Sequence, residues 1–354
     1  MIYFYLALLL IPMLTIKKRK IEDGPVMDSY STTCLKGLIC IYVMLHNIGL
    51  DYEANTPIVE TICEHTGGIG VGIFFFLSAF GITRSYQSKG KKYLLKLIFV
   101  NIPKLFLISF VINLMIYFTY HQGQFETKDL LLRLFNLDVF NDFNRMNRHG
   151  WYISTIIGMY LIFALVYFIC SKFKTDKKFL IAGFIMAFLA IGFRIGAHIA
   201  DNGGMYTREM PCFAIGCIYA MYYEKINKLF NKYFYQGLVI FIIAIIIGLF
   251  LFEPVGAYGA CLLIILLSQR ITYKNQIMHF LGSICIYLYL FVHFTQLGLQ
   301  PYRENQYWWT LTNLGLGLIL SLFMHLTFYL LFEGIKKIKN IIIMKNEKVE
   351  NKGE

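Results

Sequence analysis

Within LKGLICIYVMLHN, residues 35–47, a lysine and a histidine stand ten positions apart in an otherwise apolar run. On a helix Lys36 and His46 would be ~15 Å apart, about half the thickness of a bilayer's hydrocarbon. An imidazole titrates near neutrality, so His46 can take a proton from a hydroxyl and pass it on. An ionisable side chain inside an apolar span is costly and is a functional candidate by default. The plainer reading is a histidine at the outer interface, hydrogen-bonded to a backbone carbonyl, to Glu64 or to Asp51.

Three further places carry polar chemistry in apolar surroundings. GGIGVGIFFFLSAFGITRS, residues 67–85, has glycines that permit close helix approach or a backbone bent around a ligand, and Arg84 closes it. KKYLLKLIFVNIPK, residues 91–104, spaces Lys92, Lys96 and Lys104 along an apolar segment. A helix at the inner interface would turn some of these cations toward an anionic ligand such as the phosphates of a nucleotide cofactor. Snorkelling lysines that merely anchor the chain are the alternative. In residues 206–223, Arg208 and Glu209 form a charged pair at the outer end of a span, either structural or lining a polar acceptor cavity. Trp151 opens another span, where interface anchoring competes with a substrate contact. His293 and His325 read as packed, satisfied histidines.

These residues need a scaffold, and composition names its solvent. Of 354 residues, 57% are hydrophobic and 15% charged, and the mean hydropathy is +0.58. Soluble domains carry about 25% charged residues, so lipid must cover part of this surface. The formal charge of +12 sits in short clusters between apolar runs, which is the pattern of membrane topology and excludes a nucleic-acid groove. Most cysteines lie inside apolar runs without CxxC spacing, as small buried hydrophobes, and no His–carboxylate cluster has metal-ligand spacing.

Apolar runs near 1–16, 34–50, 67–83, 97–120, 151–171, 179–198, 206–223, 235–252, 255–268, 278–298 and 307–333 predict an all-α polytopic membrane protein of about eleven transmembrane helices. Alternate connections are basic: Lys17 to Lys20, Arg84 to Lys92, Lys172 to Lys178, Lys225 to Lys232, Arg270 with Lys274, and the tail from Lys336. The others hold Asp51, Glu53, Asp201, Glu253 and Glu304. The positive-inside rule then predicts an outer N-terminus and a cytoplasmic C-terminus in the plasma membrane. Residues 1–20 read as an extra first helix with a basic stop, 30–333 as one membrane domain and 334–354 as a basic tail. DLLLRLFNLDVF, residues 129–140, reads as a short amphipathic helix on the membrane surface.

The order of these features resembles the acyltransferase-3 family of bacterial membrane O-acyltransferases over roughly residues 30–333. LKGLICIYVMLHN is similar to the family's first core helix, with a basic residue before a His. GIGVGIFFFLSAFGITRS resembles its "FFFLSGF" helix, and YLLKLIFVNIPKLF the basic segment that follows. HGWYISTIIGMYLIF resembles the segment that opens on Trp and an aromatic, and LGSICIYLYLFVH the late "SYxxYLxH" helix. The resemblance implies a ten-helix core, preceded here by one extra helix. It also implies an acyl-CoA co-substrate, acetyl-CoA above all, on the cytoplasmic side, with transfer to a hydroxyl of a cell-surface glycan or lipid-linked sugar. Carried over, His46 is the base, Lys36 its basic partner, and Arg84 and Lys96 donor contacts. The family's usual spacing puts the His at position 47, where Asn47 stands; Ala79 replaces the usual Gly, and Asn101 stands near a common Arg.

The expected function is therefore an acyl-CoA-dependent O-acyltransferase, a transferase of groups other than aminoacyl groups. His46 would deprotonate the acceptor, and Asn47 or Ser78 would stabilise the oxyanion. Lys92 and Lys104 would join the donor contacts; Trp151, Arg208 and Glu209 would face the acceptor. The competing readings are a family member that kept the fold without catalysis, and a lipid or glycan transporter, against which the absence of paired half-repeats counts.

Overall fold

The structure, a computed structural model, describes residues 10–50, 57–137, 146–175, 177–199, 207–251, 253–302 and 304–350. Its helices are α1 (Ser29–Leu50), α2 (Pro57–Lys89), α3 (Lys91–His121), α4 (Thr127–Leu134), α5 (Gly150–Cys170) and α6 (Lys178–Ile199). They continue as α7 (Met210–Met221), α8 (Tyr223–Lys232), α9 (Phe234–Phe250), α10 (Glu253–Leu267), α11 (Gln276–Leu299) and α12 (Gln306–Glu350). Ten of the eleven apolar runs fall on helices, so the chain is an all-α membrane protein. Seven described helices are long and apolar enough to cross a membrane, eight if α8 and α9, bent by 97°, count as one span. The eleven expected spans are not reached among the described residues. The helices α7 and α10 are apolar but short, and most of the run 1–16 lies outside the described residues, as do Asp51, Glu53, Asp201 and residues 138–140.

Glycine decides how the central helices meet. A Cβ on Gly37 of α1 would lie 2.1 Å from the Met278 carbonyl oxygen, and one on Gly282 of α11 would lie 1.9 Å from that of Thr33. The backbones of α1 and α11 are thus in direct contact, and their sequences run in the same direction. Helix α2 is buried on two sides. Gly67 and Gly70 face α1, whereas Gly72 faces Cys212 of α7 and Ala257 of α10. Phe75 and Phe76 of α2 are fully buried in the resulting core.

Helix α3 carries π-helical turns at Leu97–Asn101 and Tyr117–His121. The first precedes Pro103, which has no N–H to give and crowds the preceding turn, so one wider turn absorbs the mismatch. On the basic side, strand β1 (Lys17–Lys18) pairs antiparallel with β2 (Ile271–Thr272). Lys274 Nζ lies 2.7 Å from Asp28 Oδ2 and donates to the Asp23 carbonyl at 2.6 Å. The segment before α1 is thereby tied to the start of α11.

Candidate active site

Between α1, α2, α5 and α11 the core is polar. Cys285, Tyr289, His293 and Gln296 recur on one face of α11 at helical spacing. The Lys36 charge reaches the Cys285 thiol, Cys40 Sγ approaches the Cys285 carbonyl at 3.6 Å, and Gln296 Nε2 donates to the Asn47 carbonyl at 2.7 Å. Polar groups therefore line the α1–α11 seam from Lys36 to Asn47.

His46 projects from α1 onto α2 at Gly67, the one kind of residue that leaves room for the ring: a Cβ there would lie 2.0 Å from His46 Cδ2. Its charge reaches a second imidazole, His149, at the start of α5. The His149 ring centroid lies 5.0 Å from that of Tyr289 and 6.0 Å from that of His293, nearly perpendicular to the latter. Burial first, then the charges of His293, Arg148 and His46, hold His149 well below the ordinary imidazole range, so it stays neutral. Its Nε2 and the Nδ1 of His293 are buried without a hydrogen-bond partner among the described residues.

A network of buried asparagines sets the position of His149. Asn113 Nδ2 on α3 donates to the carbonyls of Arg133 and Leu134 and to Asn136 Oδ1, at 3.2, 3.2 and 3.0 Å. Asn147 Nδ2 donates to Asn113 Oδ1 at 3.3 Å, and Asn147 Oδ1 accepts from the His149 backbone N–H at 3.0 Å. Asn136, at φ 53°, adopts the left-handed conformation that its side chain tolerates, and donates to Ser109 Oγ at 2.8 Å.

A cavity of about 30 Å³ is lined by Val71, Phe74, Tyr152, Cys285, Ile286 and Tyr289, the last of which packs against His149. Ser78 of α2 is hydrogen-bonded with Tyr152 and Tyr160 of α5 beside it. A small polar group would find there an apolar wall and the hydroxyls of Tyr152 and Tyr289.

Of the residues expected from sequence, Lys36 and Asn47 stand on this seam, His46 faces α2, and Trp151, buried, packs edge-on against Tyr152 at 6.4 Å. The four donor cations do not converge. Arg84 lies 4.9 Å over the Tyr223 ring and donates to Gln87 Oε1 at 3.3 Å, with the charge of Arg19 reaching the same tyrosine. Lys104 lies 5.3 Å over Phe332 of α12, while Lys92 and Lys96 are exposed. Arg208 Nε donates to the carboxylate of Glu209, which is buried, and Tyr258 donates to the Arg208 carbonyl at 3.4 Å. That pair precedes α7, which packs on the side of α2 away from His46. Sequence reasoning missed His149 and Arg19. His149 stands directly before the quoted Trp-aromatic segment, but outside any apolar run, where imidazoles do not stand out.

A family model described as "Acyltransferase domain" matches residues 30–332. No curated protein and no solved structure matches the chain significantly. The matched region begins one residue into α1 and ends within α12, so it takes in every element that builds the polar seam. The chain belongs to the acyltransferase-3 family of membrane acyltransferases.

Proposed function

We propose that the protein is an acyl-CoA-dependent O-acyltransferase that moves an acyl group, acetyl above all, to a hydroxyl of a cell-surface polysaccharide or its lipid-linked precursor. The observation that carries this reading is the half-buried His46 imidazole, seated against Gly67 of α2 with its charge reaching the buried His149. His46 takes the acceptor's proton, and the alkoxide oxygen attacks the thioester carbonyl. The C–O bond forms, the C–S bond breaks, and the thiolate leaves with the proton returned from the imidazolium. Donors near the seam, Asn47 and Ser78, stabilise the oxyanion. Lys36 holds the inner end of the path, and Arg84, Lys92, Lys96 and Lys104, though they do not converge on one point, give the donor's phosphates a spread of cations on the cytoplasmic side. Trp151 faces the acceptor, and Arg208 and Glu209, on the side of α2 away from His46, act as a structural ion pair.

This assignment places the protein in the plasma membrane, N-terminus outside and C-terminus cytoplasmic, in line with the alternation of basic and acidic connections. Membranes containing the protein, labelled acetyl-CoA and the host's own glycans provide the test. Label transferred to glycan in proportion to the protein supports the reading; acetyl-CoA left intact in the presence of folded protein sinks it.

A further inference from the structure

Two imidazole nitrogens in the core do not fit a structural role. His149 is 5% exposed and His293 6%, yet His149 Nε2 and His293 Nδ1 have no hydrogen-bond partner among the described residues. A buried polar atom left unpaired is destabilising. Two such atoms on rings 6.0 Å apart point to a ligand group between them. One oxygen with hydrogen bonds of ~2.8 Å bridges two nitrogens up to about 5.6 Å apart, a span that neighbouring rings can present.

The chemistry of that group is restricted. A neutral imidazole offers one N–H donor and one lone-pair acceptor, and a hydroxyl both donates and accepts, so a hydroxyl satisfies two imidazoles at once. The Arg148 charge reaches both rings, and a cation would meet it unfavourably. The surrounding wall of Tyr289, Tyr152 and Phe74 suits the apolar faces of a sugar ring. The His46 charge also reaches His149.

Resting on the acyl-transfer reading above, we propose that His149 and His293 form a subsite for a second hydroxyl of the acceptor, next to the hydroxyl that His46 deprotonates. The acceptor is then a polyhydroxylated molecule held at two points, and the pair selects which of its hydroxyls is acylated. No bond is made or broken at this subsite, and the proton transferred is the one on the reacting hydroxyl.

The full-length protein in nanodiscs, labelled acetyl-CoA and soluble glycan released from the host surface test the subsite, with glycan and donor concentrations varied separately. His149→Phe and His293→Phe keep a ring of similar size and remove both nitrogens, whereas His149→Gln and His293→Gln retain a donor. Each Phe variant is expected to raise the glycan KM at least ~10-fold, the loss of about one hydrogen bond, with the donor KM and unfolding temperature unchanged and the Gln variants recovering part of the loss. A glycan KM that stays at the wild-type value overturns the proposal. So does a donor KM that rises in parallel, or a loss that follows a lowered unfolding temperature in Phe and Gln variants alike. Absence of transfer by the wild type itself overturns the acyltransferase reading, and this subsite with it.

Discussion

Gly67 and His46 are in such close contact that a methyl group on the glycine would lie 2.0 Å from Cδ2 and 2.2 Å from Nε2 of the imidazole. Helix α2 thus sets the position of the histidine by the absence of a side chain. Gly67→Ala should favour the helix by up to about 1 kcal/mol yet push the ring aside. A misplacement of ~1 Å lowers catalysis on the order of 100-fold. Gly81 on the same helix has nothing within 4 Å of its Cβ position. Gly81→Ala should therefore retain full transfer, and comparing the two rates at equal protein level checks the contact.

The asparagine network makes a second prediction. Asn113 joins the start of α5 to the chain after α4 through four hydrogen bonds, and is itself fully buried. Asn113→Leu leaves several buried acceptors and one donor unpaired, at about 1–3 kcal/mol for each that water cannot reach. Thermal unfolding in detergent should fall by several degrees, and transfer should fall further, because His149 loses its support. An unchanged unfolding temperature would show that the network does not hold the loop.

At Gly37 and Gly282 the α1–α11 crossing admits no side chain. Gly282→Val should prevent folding, since even the Cβ would stand 1.9 Å from a backbone oxygen that cannot move without its helix. Gly315→Val on α12, where nothing lies within 4 Å, is the matched control. Gel filtration in detergent should recover the control as a single species and the Gly282 variant as aggregate.

A pH effect is expected on the basic side. Burial works against the Asp28 carboxylate, but hydrogen bonds from Lys274 and Ser31, with the Lys274 charge, outweigh it and leave it below the ordinary 3.8. A depressed carboxylate contributes stability that is complete above the unfolded value of ~3.9 and disappears as pH falls through the folded one. Asp28→Asn should lower the unfolding temperature at pH 7, and its difference from wild type should shrink below about pH 4. A difference that stays constant with pH would count against the pair.

Much of the fold was legible because lipid leaves a strong trace in composition: ten apolar runs lie on helices within a few residues. Span count was less legible, since α7 and α10 gain their helicity from burial beside α2 and need not reach full membrane length. Ala79, where the family usually has Gly, is instructive. The small residue needed at that crossing is supplied by the partner helix: a Cβ on Gly216 of α7 would lie 2.8 Å from the Ala79 methyl. No single stretch of sequence shows such an exchange. The histidine at 46 rather than 47 is similar, for the seat that receives it belongs to α2. His149 was illegible because a loop, held by asparagines from α3 and from beyond α4, carries it into the core.

The most direct measurement compares wild type, His46→Ala and Asn47→Ala at equal levels in membranes supplied with labelled acetyl-CoA and the host's glycans. The account predicts transfer by the wild type, loss of at least ~100-fold in His46→Ala, and a smaller loss in Asn47→Ala, which removes one of two oxyanion donors but keeps the backbone carbonyl that accepts from Gln296. Equal transfer by wild type and His46→Ala would contradict it.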